Sequence, residues 1–105
     1  MEDARIAEMV RRIVERFDPE RVVLFGSHAL GTAGPDSDVD LLVVMRVQGS
    51  KRRKAVEVDL ALADIPMPKD VILVTPEEVE RYRDVVGTIV YPALRDGKVL
   101  YERAA

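Results

Sequence analysis

Three aspartates, a glycine–serine pair and the spacing between them are the residues of this chain that could do chemistry. The stretch Gly26-Ser27-His28-Ala29-Leu30-Gly31-Thr32-Ala33-Gly34-Pro35-Asp36-Ser37-Asp38-Val39-Asp40 runs off one apolar segment, Arg21 to Phe25, and into another, Leu41 to Met45. In an extended chain residues i and i+2 point to the same side, so Asp38 and Asp40 are expected to project together. Two carboxylates beside an apolar core are costly unless a cation lies between them. Strand, glycine–serine turn and paired carboxylates at the head of a second strand are therefore the layout of a metal-dependent phosphate site. Glycine in the turn allows backbone amides to approach phosphate oxygens closely, and Ser27 adds a hydroxyl.

The elements that must position these groups follow from periodicity. Ile6, Met9, Val10, Ile13, Val14 and Phe17 recur at helical spacing, which predicts an amphipathic helix over residues 2–17, closed by Asp18-Pro19. Residues 22–25 read as a short buried strand, and 26–37 as a glycine-rich loop or a single helical turn. Residues 39–47 read as a longer strand, central because its run from Leu41 to Met45 is continuously apolar. Residues 51–64 fit either period: Val56, Val58, Leu60 and Leu62 alternate, while Ala55, Val58, Leu62 and Ile65 share one side of a helix. Length and alanine content favour the helix. A third strand is expected over 71–74, introduced by Asp70. Thr75-Pro76-Glu77-Glu78 carries the N-cap, first-turn proline and capping-box glutamate of a helix start, with that helix running to about 84. A further helix over 88–95 and a last strand over 99–101 complete the order α-β-β-α-β-α-α-β. The fold class expected is α/β (α+β), a small mixed sheet flanked by helices.

Composition narrows the field. The 105 residues, 48% hydrophobic and 33% charged, read as one globular domain covering 1–105. With no cysteine, disulfides, zinc–thiolate sites and thiol catalysis are excluded. A net charge of -3 gives no general attraction to nucleic acid or acidic membranes. No apolar stretch is long enough to span a bilayer or to serve as a signal core, so a cytoplasmic location is expected.

Two familiar motifs fail on the central stretch. A P-loop would need lysine where Thr32 stands and a hydroxyl where Ala33 stands. An EF-hand would need glycine at Leu41 and a bidentate glutamate at Val47. The pattern Gly26-Ser27, Gly31, Asp38-x-Asp40-Leu41 instead resembles the signature of the DNA polymerase β-type nucleotidyltransferase superfamily, and more narrowly the minimal nucleotidyltransferases (MNT). The segments 70–78 and 94–102 resemble the family's third-carboxylate strand and its C-terminal end.

The resemblance implies a nucleotidyltransferase fold and a Mg²⁺ two-metal site held by Asp38, Asp40 and Asp70, which are also its catalytic residues. Asp70 would accept the proton of the attacking hydroxyl, and Gly26 and Ser27 would bind the nucleotide, ATP or another nucleoside triphosphate. It also implies a HEPN-domain partner, with the MNT chain as antitoxin adenylylating a toxin hydroxyl, or alternatively neutralising its partner by occlusion without catalysis. A second copy of the chain is another possible partner, and a small molecule or an RNA end a weaker choice of acceptor. Asp59 and Asp64 are rival third acids, read better as an exposed helix face. His28 is open between a phosphate contact and no role. Lys51-Arg52-Arg53-Lys54 reads as a solvated face before a phosphate-steering patch, and Tyr82, Tyr91 and Tyr101 as packing residues.

Overall fold

The computed structural model describes residues 3–104, so Glu2 of the expected first helix lies outside the described residues. Helix α1 spans Ala4–Phe17, where Asp3 caps it by accepting from the Arg5 amide, and it buries Ile6, Met9 and Ile13. Asp18 ends it in the left-handed conformation, φ 48°, and Pro19 follows. Strand β1 (Arg21–Phe25) leads through the single turn α2 (Ser27–Leu30) and a loop into β2 (Val39–Val44). Then come α3 (Lys51–Leu62), β3 (Lys69–Val74), α4 (Pro76–Tyr82), α5 (Val90–Asp96) and β4 (Lys98–Glu102). The mixed α/β class is as expected. Residues 51–62 are helical, and α2 takes the single-turn alternative.

The sheet has the order β3-β2-β1-β4. Strand β1 runs antiparallel to both β2 and β4, whereas β2 and β3 are parallel. The expected central strand is central, but it stops at Val44 instead of 47. Its partner β1 begins opposite Val44, and the Met45 amide makes a last bond to the Val74 carbonyl (3.0 Å) before the chain leaves the sheet. Strand β3 begins at Lys69, so Asp70 lies inside the sheet instead of introducing the strand.

Alternation along the strands divides the core in two. Val22, Leu24, Leu41, Val43 and Leu73 pack with Ile6, Met9 and Ile13 of α1 and Val58 and Leu62 of α3. Val23, Phe25, Leu42, Val44 and Val74 face the other way, onto Val79 of α4 and Val90 and Ala93 of α5. Strand β2 is thus covered on both faces, which explains its unbroken apolar run.

Two local devices hold the helices in place. Thr75 and Glu78 exchange the reciprocal bonds of a capping box at the head of α4. The Arg12 guanidinium bonds both the Ala61 carbonyl (3.0 Å) and Asp64 (2.6 Å), lashing α1 to the end of α3. At the end of α5, Gly97 is packed so closely that an added Cβ would lie 2.2 Å from the Ala93 carbonyl oxygen and 2.6 Å from Val23. Gly97→Ala therefore forces backbone apart, and a loss of about 1–3 kcal/mol is expected in urea unfolding, the range typical of overpacking.

Candidate active site

The site begins where β1 ends. Gly26 has φ +72°, a conformation side chains rarely adopt, and a Cβ there would lie 2.2 Å from Asp40 Oδ2. The Asp40 carboxylate thus rests directly against the Gly26 backbone. Gly26 also receives the Ala29 and Leu30 amides on its carbonyl (both 3.1 Å) as α2 opens. The first amides of such a turn have no intrahelical acceptor and remain for solvent or an anion.

The loop after α2 is tied at both ends. The Thr32 amide donates to the Ser27 carbonyl (3.0 Å), and the Gly34 amide to Ser37 Oγ (2.9 Å). His28 Nε2 lies 3.2 Å from the Ser37 carbonyl oxygen. Sequence reasoning passed over Ser37; its signal was the turn tetrapeptide Gly34-Pro35-Asp36-Ser37, in which serine commonly bonds local backbone. Asp36 is exposed in that turn.

Strand register brings Asp40 opposite Phe25 on β1 and opposite Asp70 on β3. Asp40 and Asp70 share the parity of Leu42 and Ile72, which places both on the α4/α5 side of the sheet, beyond the apolar core. Asp38 precedes β2, in the loop, near enough for its charge to act on Asp40. Partial burial raises the Asp40 carboxyl above the usual aspartate range, and the charges of Asp70 and then Asp38 add to the rise, with His28 acting the other way. None of the ion pairs among the described residues involves Asp38, Asp40 or Asp70.

Among the described residues, no three carboxylate or imidazole groups converge closely enough to hold one ion. Neighbouring carboxylates without a counter-charge repel one another, and Asp38 and Asp70 are exposed and free to turn away. The donor set itself fits a hard divalent cation: carboxylate oxygens on adjacent backbone positions, one of them held in the Gly26 cradle and lacking a cationic partner.

The remaining candidates lie elsewhere. Asp59 is exposed on α3, and Asp64 is engaged by Arg12. The basic run 51–54 sits past the far ends of β2 and β3, where Lys51 pairs with Glu78 (2.8 Å), so it is remote from the aspartates. Tyr82 packs against the α4/α5 core and Tyr101 against the α1/α3 core. Tyr91 lies under the Arg95 guanidinium. A cavity of about 370 Å³ between Glu20, Val44, Val79 and Arg103 also belongs to that far end of the sheet.

A four-stranded mixed sheet with helices on both faces, a glycine turn into a short helix, and carboxylates in paired registers of two parallel strands describe the nucleotidyltransferase fold. Residues 6–92 match the nucleotidyltransferase domain family, and the chain belongs to it. The crystal structure of a candidate nucleotidyltransferase from Sulfolobus solfataricus is similar with a TM-score of 0.60 at 24% identity, over 95% of this chain and 79% of that one. A crystal structure of a toxin–antitoxin with AMP-PNP is similar with a TM-score of 0.58 at 19% identity, over 98% of this chain and 75% of that one. At these identities the likeness is one of fold. No curated protein sequence matches the chain. No described helix is long and apolar enough to cross a membrane.

Because the Asp40 carboxyl is raised in the folded state, the native protein binds more protons than the unfolded chain between the two values, and stability falls as pH rises through that window. Asp40→Asn removes the penalty. In metal-free buffer at neutral pH its Tm is expected to exceed that of the wild type, and thermal melts at pH 4 should bring the two together. Gly26→Ala is expected to act in the opposite direction, lowering Tm at both pH values, since it combines left-handed strain with displacement of Asp40.

Proposed function

We propose that this chain is a minimal nucleotidyltransferase that moves a nucleoside monophosphate, AMP from ATP, onto a hydroxyl of a HEPN-domain toxin, and so serves as the antitoxin of the pair. The observation that carries the reading is the register of Asp40 beside Asp70, with Asp38 acting on Asp40 from the loop and Gly26 cradling its carboxylate. Membership of the nucleotidyltransferase domain family supports the reaction class. The likeness of fold to a toxin–antitoxin solved with AMP-PNP, an ATP analogue, supports the choice of ATP and of a toxin as partner. A cytoplasmic location, and one nucleotidyltransferase domain over residues 1–105, are part of the same proposal.

In this reading Asp38, Asp40 and Asp70 would hold Mg²⁺, as a two-ion site in the family's manner. Bound there, the ions supply Lewis-acid stabilisation of charge on the phosphate oxygens. The Gly26 turn lets the triphosphate approach backbone amides at the head of α2, and the Ser27 hydroxyl is within the same turn. An acceptor hydroxyl oxygen forms the new bond to the α-phosphorus, the bond to the β-phosphate oxygen breaks, and pyrophosphate departs. Asp70 takes the hydroxyl proton. Holding the acceptor and the α-phosphate in line is the larger part of the task, because phosphoryl-type transfers draw mainly on positioning and charge stabilisation.

Asp38→Ala and Asp40→Ala are each expected to abolish transfer of label from α-³²P-ATP to the partner in the presence of Mg²⁺, with the fold retained by circular dichroism. Label transfer that persists undiminished in Asp40→Ala sinks the catalytic assignment. A wild type that labels nothing but forms a tight complex silencing the toxin shows neutralisation by occlusion instead.

A further inference from the structure

His28 is the chain's lone histidine, and its ring is spoken for. The side chain projects from α2, is part-buried, and brings Nε2 to 3.2 Å from the Ser37 carbonyl oxygen. A carbonyl oxygen has no proton to give, so this contact is a hydrogen bond only in a ring protonated at Nε2. Ser37 is the residue before Asp38, and Asp38 is the residue before β2. The other end of the loop is tied to the same turn, through the Thr32 amide and the Ser27 carbonyl. Adjacent residues of α2 therefore hold both ends of the loop. Inside it, Ser37 closes a small ring with Gly34, its amide donating to the Gly34 carbonyl (3.2 Å) and its hydroxyl accepting from the Gly34 amide (2.9 Å).

Without the ring, nothing among the described side chains binds the Ser37 carbonyl; the chain is next held at Val39, whose amide donates to the Pro68 carbonyl (2.9 Å), and the exposed Asp38 between them would lose its tie on the loop side. Asp40 needs no such help, since it is fixed by strand pairing on both sides and by the Gly26 cradle. The two carboxylates of the pair are thus placed by different means, one by the sheet and one by a latch.

We propose that His28 is a positioning residue: through Nε2–H to the Ser37 carbonyl it latches the loop over residues 31–37 and sets Asp38 beside Asp40, instead of contacting phosphate itself. The proposal rests on the reading of Asp38 and Asp40 as metal ligands.

The test uses Mn²⁺ alone, with binding to the whole chain followed by electron paramagnetic resonance, and amide hydrogen exchange at Ser37, whose amide donates to the Gly34 carbonyl, followed by NMR. His28→Ala should weaken Mn²⁺ binding about fivefold, as expected for losing one ordering hydrogen bond, and speed exchange at the Ser37 amide while leaving the β2 amides protected. His28→Gln, whose terminal amide nitrogen can take the place of Nε2, should recover most of both effects. Asp40→Asn, by contrast, should lose Mn²⁺ binding with exchange at Ser37 unchanged.

Unchanged Mn²⁺ affinity in His28→Ala, with only a raised KM for the nucleotide, assigns the ring to phosphate and overturns the latch. Failure of glutamine to recover what alanine loses also overturns it, as does a ring found by ¹⁵N NMR to carry its proton on Nδ1. A wild type that takes up no Mn²⁺ overturns the metal reading itself. In that event the exchange rates still decide the latch, and equal rates in wild type and His28→Ala refute it.

Discussion

Parallel pairing of β2 with β3 sets Asp40 against Asp70, and most of the site follows from that register. Backbone pairing fixes the two α-carbons about 5 Å apart, the ordinary interstrand spacing. Side chains at paired positions share a face, so two carboxylates meet whether or not their charges favour it. The apolar residues behind them, Leu42 and Val44 on β2 and Ile72 and Val74 on β3, hold the register, since a slip by one residue would carry them to the α1/α3 face, which is packed around Leu41, Val43 and Leu73. Core packing thereby enforces an electrostatically unfavourable proximity at the edge of the sheet. Burial raises the Asp40 carboxyl first, and the charge of Asp70 across this register adds to the rise.

The two faces of the sheet divide the work. The α1/α3 face holds the larger apolar cluster and is fastened by Arg12 to Asp64 and Ala61. The α4/α5 face is the smaller cluster, and the carboxylates project beyond its margin. The ends of the sheet differ as well. The aspartates and the Gly26 turn lie at one end, while the basic run 51–54, the capping box of α4 and the Glu20–Arg103 cavity lie at the other. Surface charge at the far end can vary without entering the field around Asp40, because separations beyond about 10 Å are screened at ordinary ionic strength.

Much of the fold was legible in the residues. The helical spacing of Ile6, Met9 and Ile13, the capping box at Thr75 and the apolar run of β2 each reported a local rule that packing then respected. The ends of elements were less so: β2 stops at Val44 because the Glu20 amide closes on the Val44 carbonyl (2.7 Å) and β1 pairs only from Arg21, a fact about the partner and not about Met45. For the same reason Asp70 looked like a residue before a strand, although pairing with Asp40 carries the strand past it to Lys69. Asp38, Asp40, Gly26 and Ser27 were singled out by spacing, and Asp70 by resemblance. The contact of His28 with Ser37 was not legible, because no periodicity predicts where a loop carbonyl will meet a ring nine positions earlier.

The contact between Gly26 and Asp40 has a consequence for how this chain can change over time. The glycine has no side chain because a carboxylate fills the space, and the carboxylate is held there because the glycine has none. The constraint is unequal: a larger residue at 26 evicts the acid, whereas position 40 can lose its carboxylate with the turn still in place. The acid therefore depends on the glycine more than the glycine on the acid: a lineage that lost the Asp40 carboxylate would lift the steric bar at 26, while the backbone at φ +72° would still favour glycine there.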